Sequence, residues 1–209
     1  MQTLSDRFII GFDQALRTLF APGTGARPCP RPAEEPPPLT ATESEEAARL
    51  MRVNHAGEVC AQALYQGQAL FARSPAVKTV LDEAAREERD HLAWCAMRLD
   101  ELGARPSLLN PVWYAGSFTL GVASGLAGDR YSMGFLVETE RQVEHHLDAH
   151  LGRVPECDRA TRVILEAMRD DEIRHGQAGQ AHDAADLPGP VRIGMRWVSR
   201  LMTRSTYWV

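Results

Sequence analysis

Two copies of one short pattern carry the chemistry of this sequence. Glu88-Arg89-Asp90-His91 and Glu172-Ile173-Arg174-His175 both read Glu-x-x-His. Glu and His three residues apart share one face of a helix, so both can reach a single metal ion. One copy alone would say little, because charged helices produce that spacing by chance. Here a lone glutamate stands before each copy: Glu58 precedes Glu88 by 30 residues, and Glu140 precedes Glu172 by 32. Four carboxylates and two neutral imidazoles balance two divalent cations. Oxygen-rich ligands with some nitrogen suit iron or manganese, whereas zinc more often recruits cysteine or more histidine. The bland alternative is six solvated charges on ordinary helices.

These groups need four helices to deliver them inward. The order Glu, Glu-x-x-His, Glu, Glu-x-x-His is the ligand set of ferritin-like carboxylate bundles. Turn positions give a geometric check. Glu58 lies 16 residues before the helix-breaking Ser74-Pro75, and Glu88 lies 14 after Ser74. At about 1.5 Å per residue, both stand roughly 20–24 Å from the turn and come level in an antiparallel hairpin. Gly152-Arg153-Val154-Pro155 serves as the matching turn between Glu140 and Glu172, with looser registration. The expected fold is all-α: a ferritin-like four-helix bundle of two hairpins, a hydrophobic crossover helix and additional terminal amphipathic helices.

The rest of the chain fits around that bundle. Residues 1–20 form an N-terminal amphipathic helix, with Leu4, Phe8, Phe12, Leu16 and Leu19 three or four apart. It packs on the bundle or a neighbouring subunit, or lies on a membrane surface. Residues 21–40 form a Pro-rich linker, with prolines at 22, 28, 30, 32, 36, 37 and 38. The ferritin-like di-iron domain takes 41–209, and both Thr40-x-x-Glu43 and Thr42-x-x-Glu45 read as capping boxes at its start. Bundle helices are expected at about 42–73, 75–102, 129–151 and 157–184. Gly57, beside Glu58, either permits close helix approach or is simply tolerated.

Residues 111–128 hold no charge, and Ser117, Gly121 and Gly125 recur at every fourth position, a close-packing pattern. This crossover either sits in the core or forms an apolar wall toward lipid or a lipid-like substrate. A last helix at about 191–204 places Arg192, Arg196, Arg200 and Arg204 in one stripe beside apolar residues. That suits an anionic membrane surface, or a solvated arginine edge.

The 209 residues are enough for one domain with a full core, and the net charge of −5 argues against nucleic acid. No stretch reaches the ~18 continuous apolar residues of a spanning helix, and the N-terminus does not read as a secretory signal. Cys29, Cys60, Cys95 and Cys157 lack Cys-x-x-Cys spacing and read as reduced cytoplasmic thiols.

Other polar residues fall near the ligand positions. His146, six after Glu140, is a candidate proton donor just outside the ligand set; of His145 and His146 at most one points toward the site. His55 either supports a ligand from outside the ligand set or is exposed, and Glu144 is one helical turn from Glu140. Asp90 and Asp171 are candidate hydrogen-bond partners for the ligand histidines, or solvent-facing acids. His150 and His182 are expected on the surface.

Asn54-His55-Ala56-Gly57-Glu58, Glu87-Glu88-Arg89-Asp90-His91, Val137-Glu138-Thr139-Glu140 with His145-His146, and Arg169-Asp170-Asp171-Glu172-Ile173-Arg174-His175 together resemble the demethoxyubiquinone hydroxylases. These are the di-iron enzymes of ubiquinone biosynthesis, and the resemblance covers about 42–209. Their six ligand positions fall on Glu58, Glu88, His91, Glu140, Glu172 and His175. The resemblance implies a monooxygenase with two iron ions that uses O₂ to hydroxylate the ring of a polyprenyl benzoquinol. Some members carry a tyrosine after the His pair, with a suggested relay role; Leu147 stands there instead. The resemblance also implies a peripheral protein on the cytoplasmic face of the inner membrane, and leaves a homo-oligomer or a ubiquinone-biosynthesis complex open. Hydroxylation needs an external two-electron donor. Family behaviour points to NAD(P)H, although no Gly-x-Gly-x-x-Gly fingerprint is present.

Two other classes compete. A ferritin-like iron-storage protein would use the same ligands without an organic substrate, but the uncharged 111–128 segment speaks for a lipidic one. Another di-iron oxidoreductase is the third option. A tRNA-modifying hydroxylase fits poorly with the acidic charge, and a rubrerythrin-type peroxidase lacks its Cys-x-x-Cys module.

Overall fold

Thr40 starts the bundle. Its amide donates to the Glu43 carboxylate at 2.8 Å and its hydroxyl accepts from the Glu43 amide at 3.3 Å, a closed capping box. The second candidate box, Thr42 with Glu45, falls inside the first helical turn and caps nothing. The computed structural model describes residues 4–20 and 25–209. Residues 1–3 and 21–24, Pro22 among them, and the side chains of residues 4–8 and 10, including Leu4 and Phe8, lie outside the described residues.

Seven helices and no strand occur among the described residues: α1 Leu4–Phe20, α2 Ala41–Ala69, α3 Pro75–Glu101, α4 Asn110–Ala127, α5 Asp129–Leu151, α6 Arg159–Ala181 and α7 Gly189–Thr206. α2 with α3, and α5 with α6, pack along each other as two hairpins, and α4 is the crossover between them. The signals at the breaks act as sequence chemistry dictates. Pro75 opens α3, where its missing N–H costs nothing. Gly103, at φ +64°, closes α3, and the Ala104 amide reaches back to the Leu99 carbonyl at 2.8 Å. Asp129 accepts from the Arg73 and Ser74 amides at 3.0 and 2.8 Å, tying the first turn to the start of α5.

The crossover splits the two readings open for it. One face packs on α2 so closely that a Cβ at Gly121 would fall 2.2 Å from the Leu64 carbonyl oxygen. Gly67 answers from α2, where a Cβ would meet the Phe118 oxygen at 2.6 Å. The opposite face leaves Val112, Leu120 and Leu126 exposed. Gly57 has a different role: a Cβ there meets nothing within 4 Å, so it leaves open space beside Glu58.

Two apolar layers bracket the middle of the bundle. One contains Leu50, Met51, Trp94, Leu99, Ile164 and Met168, and the other Tyr65, Leu81, Met133 and Leu136. Glu58, Glu88, Glu140 and Glu172 lie between these layers along their helices. No helix among the described residues is long and apolar enough to cross a membrane. The four cysteines are free.

Candidate metal centre

The structure brings all six expected residues together in the bundle interior. Glu58, Glu88, His91 and Glu172 place ligand atoms within 4.8 Å of one another, and so do Glu88, Glu140, Glu172 and His175. Glu88 and Glu172 belong to both groups, so they stand between two adjacent positions, with Glu58 and His91 on one side and Glu140 and His175 on the other. All six are buried. His91 Nδ1 lies 2.9 Å from Glu88, 3.4 Å from Glu172 and 3.6 Å from Glu58. His175 Nδ1 lies 3.2 Å from Glu88, 3.5 Å from Glu172 and 3.7 Å from Glu140.

A buried polar atom without a partner is rare and needs a reason. Glu88 Oε1, Glu140 Oε2, Glu172 Oε2 and His175 Nδ1 are all buried without a hydrogen-bond partner. Four orphaned lone-pair donors on four ligand-type residues are what a cation site requires. The donor set therefore fits a dinuclear metal centre.

Protonation of the protein groups leads to the same point. Burial, then the neighbouring carboxylates, push Glu58 and Glu140 well above the ordinary carboxyl range. Burial alone would depress both imidazoles, but Glu88 and Asp171 outweigh it at His91, and Glu172 and Glu88 raise His175 to about 12. Burial would also raise Glu88, yet His91 and His175 hold it well below. The buried carboxylates thus call for positive charge in their midst, which divalent cations would supply.

The ligand histidines are oriented reciprocally. His91 on α3 donates from Nε2 to Asp171 on α6 at 2.9 Å, and His175 on α6 donates from Nε2 to Glu87 on α3 at 3.0 Å. Each acid directly precedes the glutamate of its own Glu-x-x-His motif and serves the histidine of the other. This fixes Nδ1 of both rings toward the centre. Arg174 joins the two acids, 3.3 Å from Glu87 and in contact with Asp171. Tyr65, fully buried, donates its hydroxyl to Glu140.

Several expected neighbours sit elsewhere. Asp171 does partner a ligand histidine, but Asp90 does not: its carboxylate turns to the arm before α2 and accepts from the Ala26 amide at 2.5 Å and from Arg27 Nε at 2.7 Å. His150 is a correction. It was expected on the surface and is buried, 2.9 Å from Asn54 Oδ1. His55 is buried too, 3.2 Å from the Asn110 side-chain amide. Burial lowers His55 to about 4, and burial with nearby His146 and Arg153 lowers His150 to about 2. Both stay neutral because each contributes an uncharged ring to an apolar interior. His182 is half-buried on its own helix end, and Glu144 and His145 do not join the cluster.

Glu87, Tyr65 and Arg27 were missed as supports. Only Glu87 had a usable signal, since an acid precedes the glutamate in both motif copies.

One wall of the centre opens on an apolar cavity of about 140 Å³ between α2, α4, α5 and α7, lined by Glu58, Gly57, Leu64, Trp113, Phe135 and Met195 among others. His146 stands in its wall with Nε2 unpartnered, and burial, then Arg153, lower its pKa to about 4.

The fold and the cluster define a class: ferritin-like carboxylate bundles able to hold two metal ions side by side. Residues 45–206 match the family described as ubiquinone biosynthesis protein COQ7, and the chain belongs to that family. Similar relatives are the proteins named 3-demethoxyubiquinol 3-hydroxylase in Ralstonia pickettii (56% identical, covering 97% of this chain and 98% of the relative) and Cupriavidus taiwanensis (57%; 97% and 99%). The protein of the same name in Nitrosomonas europaea is 54% identical, with 98% of each chain covered.

Proposed function

We propose that this protein is a di-iron monooxygenase that hydroxylates the benzoquinol ring of a demethoxyubiquinol-type polyprenyl substrate. One observation carries the reading beyond family membership: Glu58 belongs both to the carboxylate cluster and to the lining of the apolar cavity. A ring held in that cavity lies beside the centre. An apolar cavity of roughly 150 Å³ is enough to take a benzene ring.

Glu58, Glu88, His91, Glu140, Glu172 and His175 would hold the metal ions. Iron bound there supplies the activation of dioxygen. The balance is one ring C–H, O₂, two electrons and two protons giving ring C–OH and water, with NAD(P)H as the external donor of the electrons. The chain's own groups bind and orient. Apolar residues of α4 and α7 keep water from the ring. His146, neutral and unpartnered at Nε2, is placed to hold a ring oxygen or pass a proton there. Asp171 and Glu87 hold the imidazoles in one tautomer.

We place the protein peripherally on the cytoplasmic face of the inner membrane, where a polyprenyl substrate resides. Ile193, Trp197 and Leu201 form an exposed apolar ridge on α7 beside exposed Arg192, Arg196, Arg200 and Arg204. Such a ridge fits an anionic lipid surface. Ile9, Phe12, Leu16 and Phe20 give α1 a similar exposed face.

The test supplies iron-loaded protein with a demethoxyquinol in detergent, a reductant and ¹⁸O-labelled O₂. One labelled oxygen on the ring, absent with Glu172→Ala, is the expected result. Rapid oxidation of added iron without an organic product would sink the hydroxylase reading and favour iron storage.

A further inference from the structure

Among the described residues, the arm before α2 reaches the candidate metal centre through the side chain of Arg27. Arg27 Nε pairs with Asp90 Oδ2 at 2.7 Å, and its Nη2 pairs with Asp171 Oδ2 at 2.7 Å. The second contact matters because the same Asp171 oxygen accepts from His91 Nε2 at 2.9 Å. One carboxylate oxygen is thus shared between a guanidinium on the arm and the imidazole of a cluster residue.

The arm is held tightly enough to make this contact specific. Asp90 Oδ1 accepts from the Ala26 amide, and Trp94 Nε1 donates to the Arg27 carbonyl at 3.4 Å. The guanidinium lies over the Trp94 ring at 4.8 Å, and that ring stands 5.3 Å from the His91 ring. A Cβ at Gly25 would meet Asp90 Oδ1 at 2.9 Å, so the close approach uses a glycine. Asp90 and Asp171 are on different hairpins, and a planar fork of donors is suited to hold two carboxylates at once.

The arrangement is one-sided. Glu87, which does for His175 what Asp171 does for His91, pairs among the described residues with Arg174 alone. Asp171 has both Arg174 and Arg27. Arg27 also lies outside the segment 45–206 matched by the family.

We propose that Arg27 is a positioning residue of the metal centre: by fixing the Asp171 carboxylate that orients His91, it tunes the metal position His91 serves and not the one His175 serves. The inference rests on the metal-centre reading above. Outer partners of ligating histidines change metal affinity by ~10–100-fold when removed, without touching the metal themselves.

Cobalt(II) reports the effect without turnover. Metal-stripped full-length protein is titrated with cobalt(II) against a competing chelator, and the visible ligand-field bands are followed. Wild type is expected to take two equivalents. Arg27→Met should weaken one of them about tenfold and leave the other unchanged. Adding Arg27→Met to Asp171→Asn should cost nothing further, because both act through one carboxylate. Arg27→Lys keeps a charge beside Asp90 but cannot fork to Asp171, so it should fold normally and weaken the same equivalent. Equal affinities in wild type and Arg27→Lys, a loss shared by both equivalents, or additive losses in the double variant would overturn the proposal while leaving the centre intact. A wild-type protein that takes fewer than two equivalents would remove the metal-centre reading itself.

Discussion

His175 Nε2 and Glu87 Oε2 lie 3.0 Å apart, so a ligand-type histidine of the second hairpin is held by an acid of the first. The bond runs between the hairpins, and its counterpart from His91 to Asp171 runs the other way. Glu87→Gln keeps an acceptor but removes the charge that favours a metal-facing Nδ1. Affinity for the metal position served by His175 should fall about tenfold, while the His91 position stays as in wild type. Chelator competition with cobalt(II) checks this.

Metal uptake should release protons. Glu58, Glu140, His91 and His175 all bind protons more tightly than their free side chains do. A cation must displace those protons, so loading cobalt(II) at pH 7 should release protons, and affinity should drop as pH falls. An indicator dye in weak buffer measures the release. No release would mean that the ions bind elsewhere.

Acid should destabilise the fold through histidines that do not touch the cluster. His55 and His146 are held at about 4 against an ordinary 6.5, so the unfolded chain binds more protons between those values. Their contribution is full above pH 6.5 and is lost as pH falls toward 4. Each is worth up to about 3 kcal/mol. The urea midpoint should therefore fall across that window, and His55→Gln, which keeps a polar partner for Asn110, should flatten the fall.

Close packing at the crossover should tolerate no side chain. Gly121→Val places carbon where the Leu64 carbonyl oxygen stands and should cost about 1–3 kcal/mol or more, read as a lower urea midpoint. Gly57→Ala, with nothing within 4 Å, should leave stability nearly unchanged and act on substrate affinity instead.

Lipid binding should depend on the outer ridge of α7. Trp197→Ser with Leu201→Ser should reduce partition onto anionic vesicles about a hundredfold or more, from ~1.5–3 kcal/mol for each of the two side chains, and salt should weaken wild-type binding. These variants spare Met195 and Met202, which face the cavity side, whereas removal of 191–209 would also strip a cavity wall. Unchanged vesicle binding in a flotation assay would take α7 out of the membrane account.

The six clustered residues were legible because helical spacing writes a face of a helix directly into the sequence. The four bundle helices were legible for a related reason: Pro75, Gly103 and Gly152 act locally. Of the supports, Asp171 was legible as the neighbour of Glu172 and Glu87 left a signal beside Glu88, but the others were not. Arg27 meets Asp90 across 63 residues, Tyr65 meets Glu140 across 75, and His150 finds Asn54 across 96. Such pairings come from how the hairpins dock, which no local pattern encodes. Asp90 illustrates the limit. It adjoins His91 in sequence, but one residue is about 100° around a helix, so its carboxylate faces the arm and not the ring.

The backbone contact between Gly121 and Leu64 locks α4 to α2, which makes that side of the cavity a fixed wall. α7 meets the opposite side through Met195, Val198 and Met202, and its far end is tied down where the Tyr207 hydroxyl meets Glu46 and Arg52 reaches the Tyr207 carbonyl. Any widening of the cavity must then come from the α7 side, where side chains and not backbone form the contact. That side belongs to the same element that exposes Ile193, Trp197 and Leu201, so the outer face of α7 and the adjustable wall of the cavity are two sides of one helix.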